Sequence, residues 1–121
     1  MEEGFLTFQN NMITRYGEEY AEQVDVFFQR AVTLANSGLL ESALQDLRFA
    51  RDLMHYSNDK SVCTLIYGLM AQMHCDLGQI KQASSCYDLG LSFLDVNDEA
   101  YFDEVETYQR LKESIDRRSR E

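Results

Sequence analysis

The sequence contains no proline and only six glycines in 121 residues. Proline interrupts helices, and both residues supply tight turns. Their scarcity leaves long helices unbroken and offers little for the many turns of an all-β fold. We therefore expect an all-α protein, and the length predicts a single domain covering residues 1–121.

Positive charge is also scarce, because 11 Lys and Arg face 21 Asp and Glu, a net charge of −10. Binding to nucleic acid or to anionic lipid depends on basic residues, so we expect neither partner. Arg117, Arg118 and Arg120 form a short basic cluster, which we interpret as cations at the negative end of the last helix dipole. No apolar run approaches the roughly 18 residues that a membrane span requires.

Cysteine occurs only three times, as Cys63, Cys75 and Cys86. An odd number in a short chain without a signal-peptide pattern favours reduced thiols and a cytoplasmic location. A metal site would have to combine His74 and Cys75 with His55, but the chain has no C-x-x-C or H-x-x-x-H pair. We expect no metal site and interpret the cysteines as small buried hydrophobic residues.

Catalytic patterns are missing as well. The sequence has no Ser-His-Asp or Cys-His set at plausible spacing and no glycine-rich phosphate loop. We therefore expect no enzyme, no catalytic residue and no cofactor.

The stretch from Phe27 to Leu94 repeats itself with a period of 40 residues. The recurring pairs are Phe27 and Tyr67, Ala31 and Ala71, Leu34 and His74, Gly38 and Gly78, Ala43 and Ala83, Leu47 and Tyr87, and Ala50 and Gly90. Repetition at 20 to 50 residues is typical of a helical array.

Apolar residues at helical spacing divide the chain into four parts. Residues 1–16 predict an N-terminal amphipathic helix, 18–55 a first repeat, 62–95 a second repeat and 98–118 a capping helix. Asn97 or Asp98 is the expected N-cap of the last helix. Its predicted inner face carries Tyr101, Val105, Tyr108, Leu111 and Ile115, and its predicted outer, solvated face carries mostly Asp103, Glu104, Glu106, Arg110, Glu113 and Asp116.

Within the repeats, the pattern predicts helices from Glu18 to Asn36, Leu40 to Met54, Val62 to Asp76 and Ile80 to Leu94. Gly38 is expected in the left-handed conformation that ends a helix. His55–Ser61 is the expected linker between the two repeats.

The recurring residues resemble the tetratricopeptide repeat, with its glycine turn and small residues along the second helix. Tyr101, Val105 and Tyr108 follow the second copy at the family spacing of 34 residues. The resemblance implies antiparallel helix hairpins stacked as a superhelical α-solenoid. The chain departs from the family pattern in its 40-residue period, its lack of proline and Arg30 in place of a leucine.

The resemblance also implies a concave groove that accepts a peptide or helix from a partner. The family's groove positions fall on Asp25, Phe28, Val32, Ala35, Leu65, Gly68, Gln72 and Cys75, with Leu69 alongside. Our predicted partner-binding residues are Phe28, Val32, Leu65, Leu69 and Gln72. This mainly apolar set lacks the Lys and Asn that would clamp the carboxylate of a heat-shock chaperone, which argues against that kind of partner.

Two interpretations of the N-terminal apolar residues stay open. Either the groove receives a partner helix, or Phe5, Phe8 and Met12 of the N-terminal helix fold back into it, and both hold if that helix is displaced when a partner arrives. The same N-terminal residues, or Tyr101 and Tyr108, are candidates for a second protein contact.

A small, acidic, repeat-built protein is similar to the cytoplasmic chaperones of bacterial type III secretion. That likeness implies a role in holding an apolar helix of a secreted subunit, together with a second small helical co-chaperone. The alternative is a scaffold or regulatory adaptor that binds proteins outside secretion.

Overall fold

The computed structural model describes residues 22–54 and 62–121, and every regular element in these ranges is an α-helix. Helix α1 covers residues 22–36 of the described chain. It is followed by α2 (Leu40–Met54), α3 (Cys63–Asp76), α4 (Ile80–Leu91) and α5 (Tyr101–Ser119). The all-α prediction is confirmed for this part of the chain. The predicted N-terminal helix and the His55–Ser61 linker lie outside the described residues.

Two turns of the same design join α1 to α2 and α3 to α4. Gly38 and Gly78 have φ angles of 80° and 78°, as a left-handed helix end requires. The N–H of Leu39 donates to the carbonyl of Leu34 at 2.9 Å, and 40 residues later Gln79 donates to His74 at 2.8 Å. Each turn is only three residues long, so the paired helices run antiparallel. The arrangement is consistent with an array of helical hairpins.

Helix α3 lies at the centre of the described structure and packs against α2, α4 and α5. Its sequence carries no Asp, Glu, Lys or Arg before Asp76, so nearly all of its surface can be buried. The most deeply buried large side chains are Leu47 of α2 with Ile66, Met70, Met73 and Cys75 of α3. Alanines without exposed surface let the helices approach closely, namely Ala31, Ala43, Ala50, Ala71 and Ala83.

An ion pair connects α1 to α2. The guanidinium of Arg30 donates two hydrogen bonds to the Asp46 carboxylate, at 2.8 and 3.0 Å. The Asp46 side chain is 3% exposed, whereas that of Arg30 is 63% exposed. Arg30 therefore has a structural role, because it neutralises a buried carboxylate.

The helix ends differ in detail from the predicted ones. Helix α4 ends at Leu91 rather than Leu94, since the N–H groups of Phe93 and Leu94 bond to carbonyls three residues back, in tighter turns. The N-cap of α5 is Ala100, without a side-chain cap. Asp98, two residues earlier, accepts a hydrogen bond from the Ala100 N–H at 3.0 Å, so it caps the turn that leads into α5 rather than the helix itself.

Arg118 of α5 reaches a different helix from the one predicted. Its guanidinium donates to the carbonyls of Cys75 and Asp76, at 3.1 and 2.9 Å, at the C-terminal end of α3. The basic side chain therefore supplies a charged donor to two carbonyls at the end of the central helix, one of which, that of Cys75, also accepts from the Gly78 N–H. Among the described residues, no helix has the length and apolar character needed to cross a membrane.

Candidate binding groove

A groove of about 560 Å³ is lined by helices α1, α3 and α5, and it is referred to below simply as the groove. Its lining is mostly apolar. The residues are Phe28, Val32, Thr64, Leu65, Gly68, Leu69, Gln72, Ala100, Asp103, Glu104, Thr107, Tyr108, Arg110, Leu111 and Ser114.

The five predicted partner-binding residues are among those that line the groove from α1 and α3. Phe28 and Val32 are four residues apart on α1, and Leu65, Leu69 and Gln72 follow at four and three on α3, so each set shares one helix face. Leu65 is 49% exposed, a large value for a leucine on the most buried helix. The structure thus places all five predicted partner-binding residues along one groove.

Tyr108 of α5 forms the inner end of the opposite wall, and two glycines make room for its ring. A Cβ on Gly68 of α3 would lie 3.2 Å from the ring, and one on Gly90 of α4 would lie 1.9 Å from the phenol oxygen. The hydroxyl donates to the carbonyl of Thr64 at 2.5 Å. Burial raises the pKa of Tyr108 well above its ordinary value, so the phenol stays protonated and keeps donating.

Glu104 lies one helical turn before Tyr108 and is only 8% exposed. Burial raises the pKa of its carboxyl above the ordinary value, and the negative charge of Asp98 adds to this effect. Its side chain lines the groove next to apolar neighbours. The predicted place of Glu104 on the solvated outer face is therefore wrong. Glu104 lies four residues before Tyr108 and seven before Leu111, and this spacing in the sequence already indicated that it shares their inward face of the helix.

The other charged lining residues, Asp103 and Arg110, are exposed. Arg110 pairs with Glu106 one turn away on the same helix. At the α3 side, the Gln72 amide donates to Asp76 at 2.9 Å. The groove therefore has an apolar floor and a polar rim.

Several predicted residues lie elsewhere. Cys75 belongs to the core beneath the groove rather than to its lining, because it faces inward on α3. Tyr108 is buried in the wall, so its suggested role as an exposed second contact is wrong, whereas Phe102 is 81% exposed. The predicted second-contact residues Phe5, Phe8 and Met12 lie outside the described residues.

The described residues bring no three potential ligands together as a metal-binding group. His74 is buried and its Nδ1 lies 2.7 Å from the Gln79 side-chain oxygen in the turn after α3. All three cysteines are buried, and burial raises the pKa of the thiols of Cys75 and Cys86. The suggested partner His55 is not among the described residues.

The groove is therefore defined by geometry and chemistry alone. The chain matches no family model, and neither a curated protein nor a solved structure matches it.

Proposed function

We propose that this protein is a binding module that holds an apolar helix of another protein in the groove. The observation that carries the proposal is that Phe28, Val32, Leu65 and Leu69, all partly accessible, line one groove instead of being closed into the core. Apolar side chains arranged along a groove with a polar rim suit an amphipathic helix, which buries residues at positions i, i+3, i+4 and i+7.

The dimensions support a helical occupant. Helix α3, which forms the floor, has 14 residues and is therefore about 21 Å long. A partner helix of about four turns lying beside it could place its apolar stripe over Leu65, Leu69 and Val32. A larger partner surface would extend past the floor onto α5, the 19-residue helix of the opposite wall.

Within this class, we propose a cytoplasmic chaperone of tetratricopeptide-repeat type, acting on a secreted helical subunit such as one of a type III secretion system. The likeness of the recurring residues to that repeat supports this version of the proposal. A client that polymerises or enters membranes needs its apolar helix covered, and a net charge of −10 helps to keep such a complex soluble. A scaffold or adaptor outside secretion is the alternative, and a second small helical co-chaperone is an expected further partner.

A matched pair of substitutions tests the binding role. Leu65 and Leu89 are both 49% exposed, but only Leu65 lines the groove. We expect Leu65→Asp to abolish capture of the partner from a lysate of the source cells, and Leu89→Asp to retain it. Circular dichroism should show equal helix content in both variants and the wild type.

Two results would contradict the proposal, and a further measurement would distinguish the chaperone from the adaptor. Equal loss of capture in both variants, or loss of folding in Leu65→Asp, would contradict a groove-specific role. Mass spectrometry of the captured proteins then separates the versions, since small secreted helical subunits support the chaperone and receptor or kinase domains support the adaptor.

A further inference from the structure

Glu104 is the only buried charged residue among those that line the groove. Within residues 22–54 and 62–121, no cation forms an ion pair with its carboxylate and no donor hydrogen-bonds to it. All of the fully enclosed side-chain oxygens in this part of the chain have a partner, so the unpaired carboxylate of Glu104 keeps some accessible surface, and the side chain lines the groove.

An acidic side chain that is buried without a partner is costly, and buried charges in proteins are normally paired. The groove itself does not supply the cation. Arg110, the basic residue of the lining, lies six residues later on α5, about 9 Å further along the helix axis, and is paired with Glu106. Asp98 and Asp103 add negative charge around the same end of α5.

We propose that the groove recognises a partner helix whose apolar stripe carries one Lys or Arg, and that this cation pairs with Glu104. The inference rests on the proposed binding function and adds the chemistry of the occupant. The aliphatic part of a Lys or Arg side chain would pack along Leu69 and Leu111, and its charged end would reach the carboxylate. Glu104 would thereby fix the register and direction of the bound helix.

Synthetic peptides provide the probe. We suggest fluorescein-labelled amphipathic 18-residue peptides with a leucine stripe, in which each of four stripe positions in turn is Lys, Gln or Leu. Their affinity for the full-length protein is measured by fluorescence anisotropy at low and high salt. In at least one register, we expect the Lys peptide to bind roughly tenfold more tightly than its Gln counterpart, as a hydrogen bond to a charged group implies.

Two charge-neutralising variants distinguish a specific pair from general attraction to an acidic protein. Glu104→Gln should reduce the Lys preference to about twofold or less. Glu113→Gln makes the same change in net charge on the exposed side of α5 and should leave the preference intact. Urea unfolding of each variant establishes that it is folded.

The possible outcomes test the cation pairing separately from the proposed binding of an apolar helix. Peptides that bind without a Lys preference, or a preference that survives Glu104→Gln, would overturn the cation pairing and leave the binding function standing. If neither Leu nor Lys peptides bind, both fail. If peptides bind only after Phe8→Asp and then show no Lys preference, the chain's own N-terminal segment is the occupant. Self-association abolished by Leu65→Asp would instead identify a second copy of the chain. Either result overturns the proposal.

Discussion

The phenol oxygen of Tyr108 occupies the position that the side chain of residue 90 would take if Gly90 were any other residue. A Cβ there would lie 1.9 Å from that oxygen and 2.7 Å from the adjoining ring carbon. The contact joins α4 to α5 and holds the hydroxyl against the Thr64 carbonyl of α3. One glycine thus lets a single tyrosine connect three helices behind the groove.

We expect Gly90→Ala to destabilise the protein by about 1–3 kcal/mol. Alanine gains about 1 kcal/mol in helix propensity, but the added carbon must displace Tyr108 and break its buried hydrogen bond, which costs more. The measurement is the free energy of unfolding in urea. Gly68→Ala is the control, because its nearest contact of 3.2 Å needs only a small shift and should change stability by less than about 1 kcal/mol.

A double-mutant cycle adds a sharper criterion to the same prediction. Tyr108→Phe removes the phenol oxygen, so it should cost less in the Gly90→Ala background than in the wild type. A Gly90→Ala protein as stable as the wild type, or two strictly additive substitutions, would contradict the packing described here.

The Arg30 and Asp46 pair gives a second prediction. Arg30→Leu restores the residue expected from the repeat pattern, yet we expect it to destabilise the protein by about 1–3 kcal/mol because it leaves the buried Asp46 carboxylate without its two donors. Combining it with Asp46→Leu should recover most of the loss. Urea unfolding of the two single variants and the double variant measures the coupling, and an undiminished loss in the double variant would show that the pair is not the cause.

Local patterns in the sequence predicted much of the fold. Spacings of three and four residues gave α2 with its observed bounds and α3 within one residue of its start, and Gly38 and Gly78 indicated the two turns. The carried-over groove positions Phe28 and Leu65 lie in one groove. Helix bounds, turns and shared helix faces depend on residues within a few helical turns of one another in the sequence, and the spacing of apolar residues reports on that range.

The remaining features depend on contacts between distant residues. Gly90 meets Tyr108 across 18 positions, and Arg118 meets Cys75 across 43, so no local spacing indicates either contact. Glu104 is different, because its spacing from Tyr108 already placed it on the inner face. The prediction failed there because a carboxylate is ordinarily exposed, and this one borders a groove.

The pH dependence of stability tests the environment of Glu104. The folded protein raises the pKa of this carboxyl. Above that pKa, ionised Glu104 therefore lowers the free energy of unfolding. This destabilisation disappears as the pH falls below the ordinary pKa of Glu. Glu104→Gln should therefore stabilise the protein most near pH 7, with a difference from the wild type that shrinks as the pH approaches 4. Urea unfolding across this range measures it. Glu113→Gln, for an exposed residue, should show no such trend, and a constant difference for Glu104→Gln would contradict the buried environment.

Arg118 gives the last prediction, which concerns the end of the central helix. Its guanidinium donates to the Cys75 and Asp76 carbonyls, where α3 enters the turn at Gly78. We expect Arg118→Ala to cost about 1 kcal/mol and to raise amide hydrogen exchange in the last turn of α3, since those carbonyls lose a charged donor. Arg117→Ala removes the same charge from the neighbouring exposed position and should leave exchange in α3 unchanged. Faster exchange confined to α5 would contradict this prediction. Arg118 would then stabilise only its own helix, as the sequence analysis expected, and the carbonyls of α3 would not depend on it.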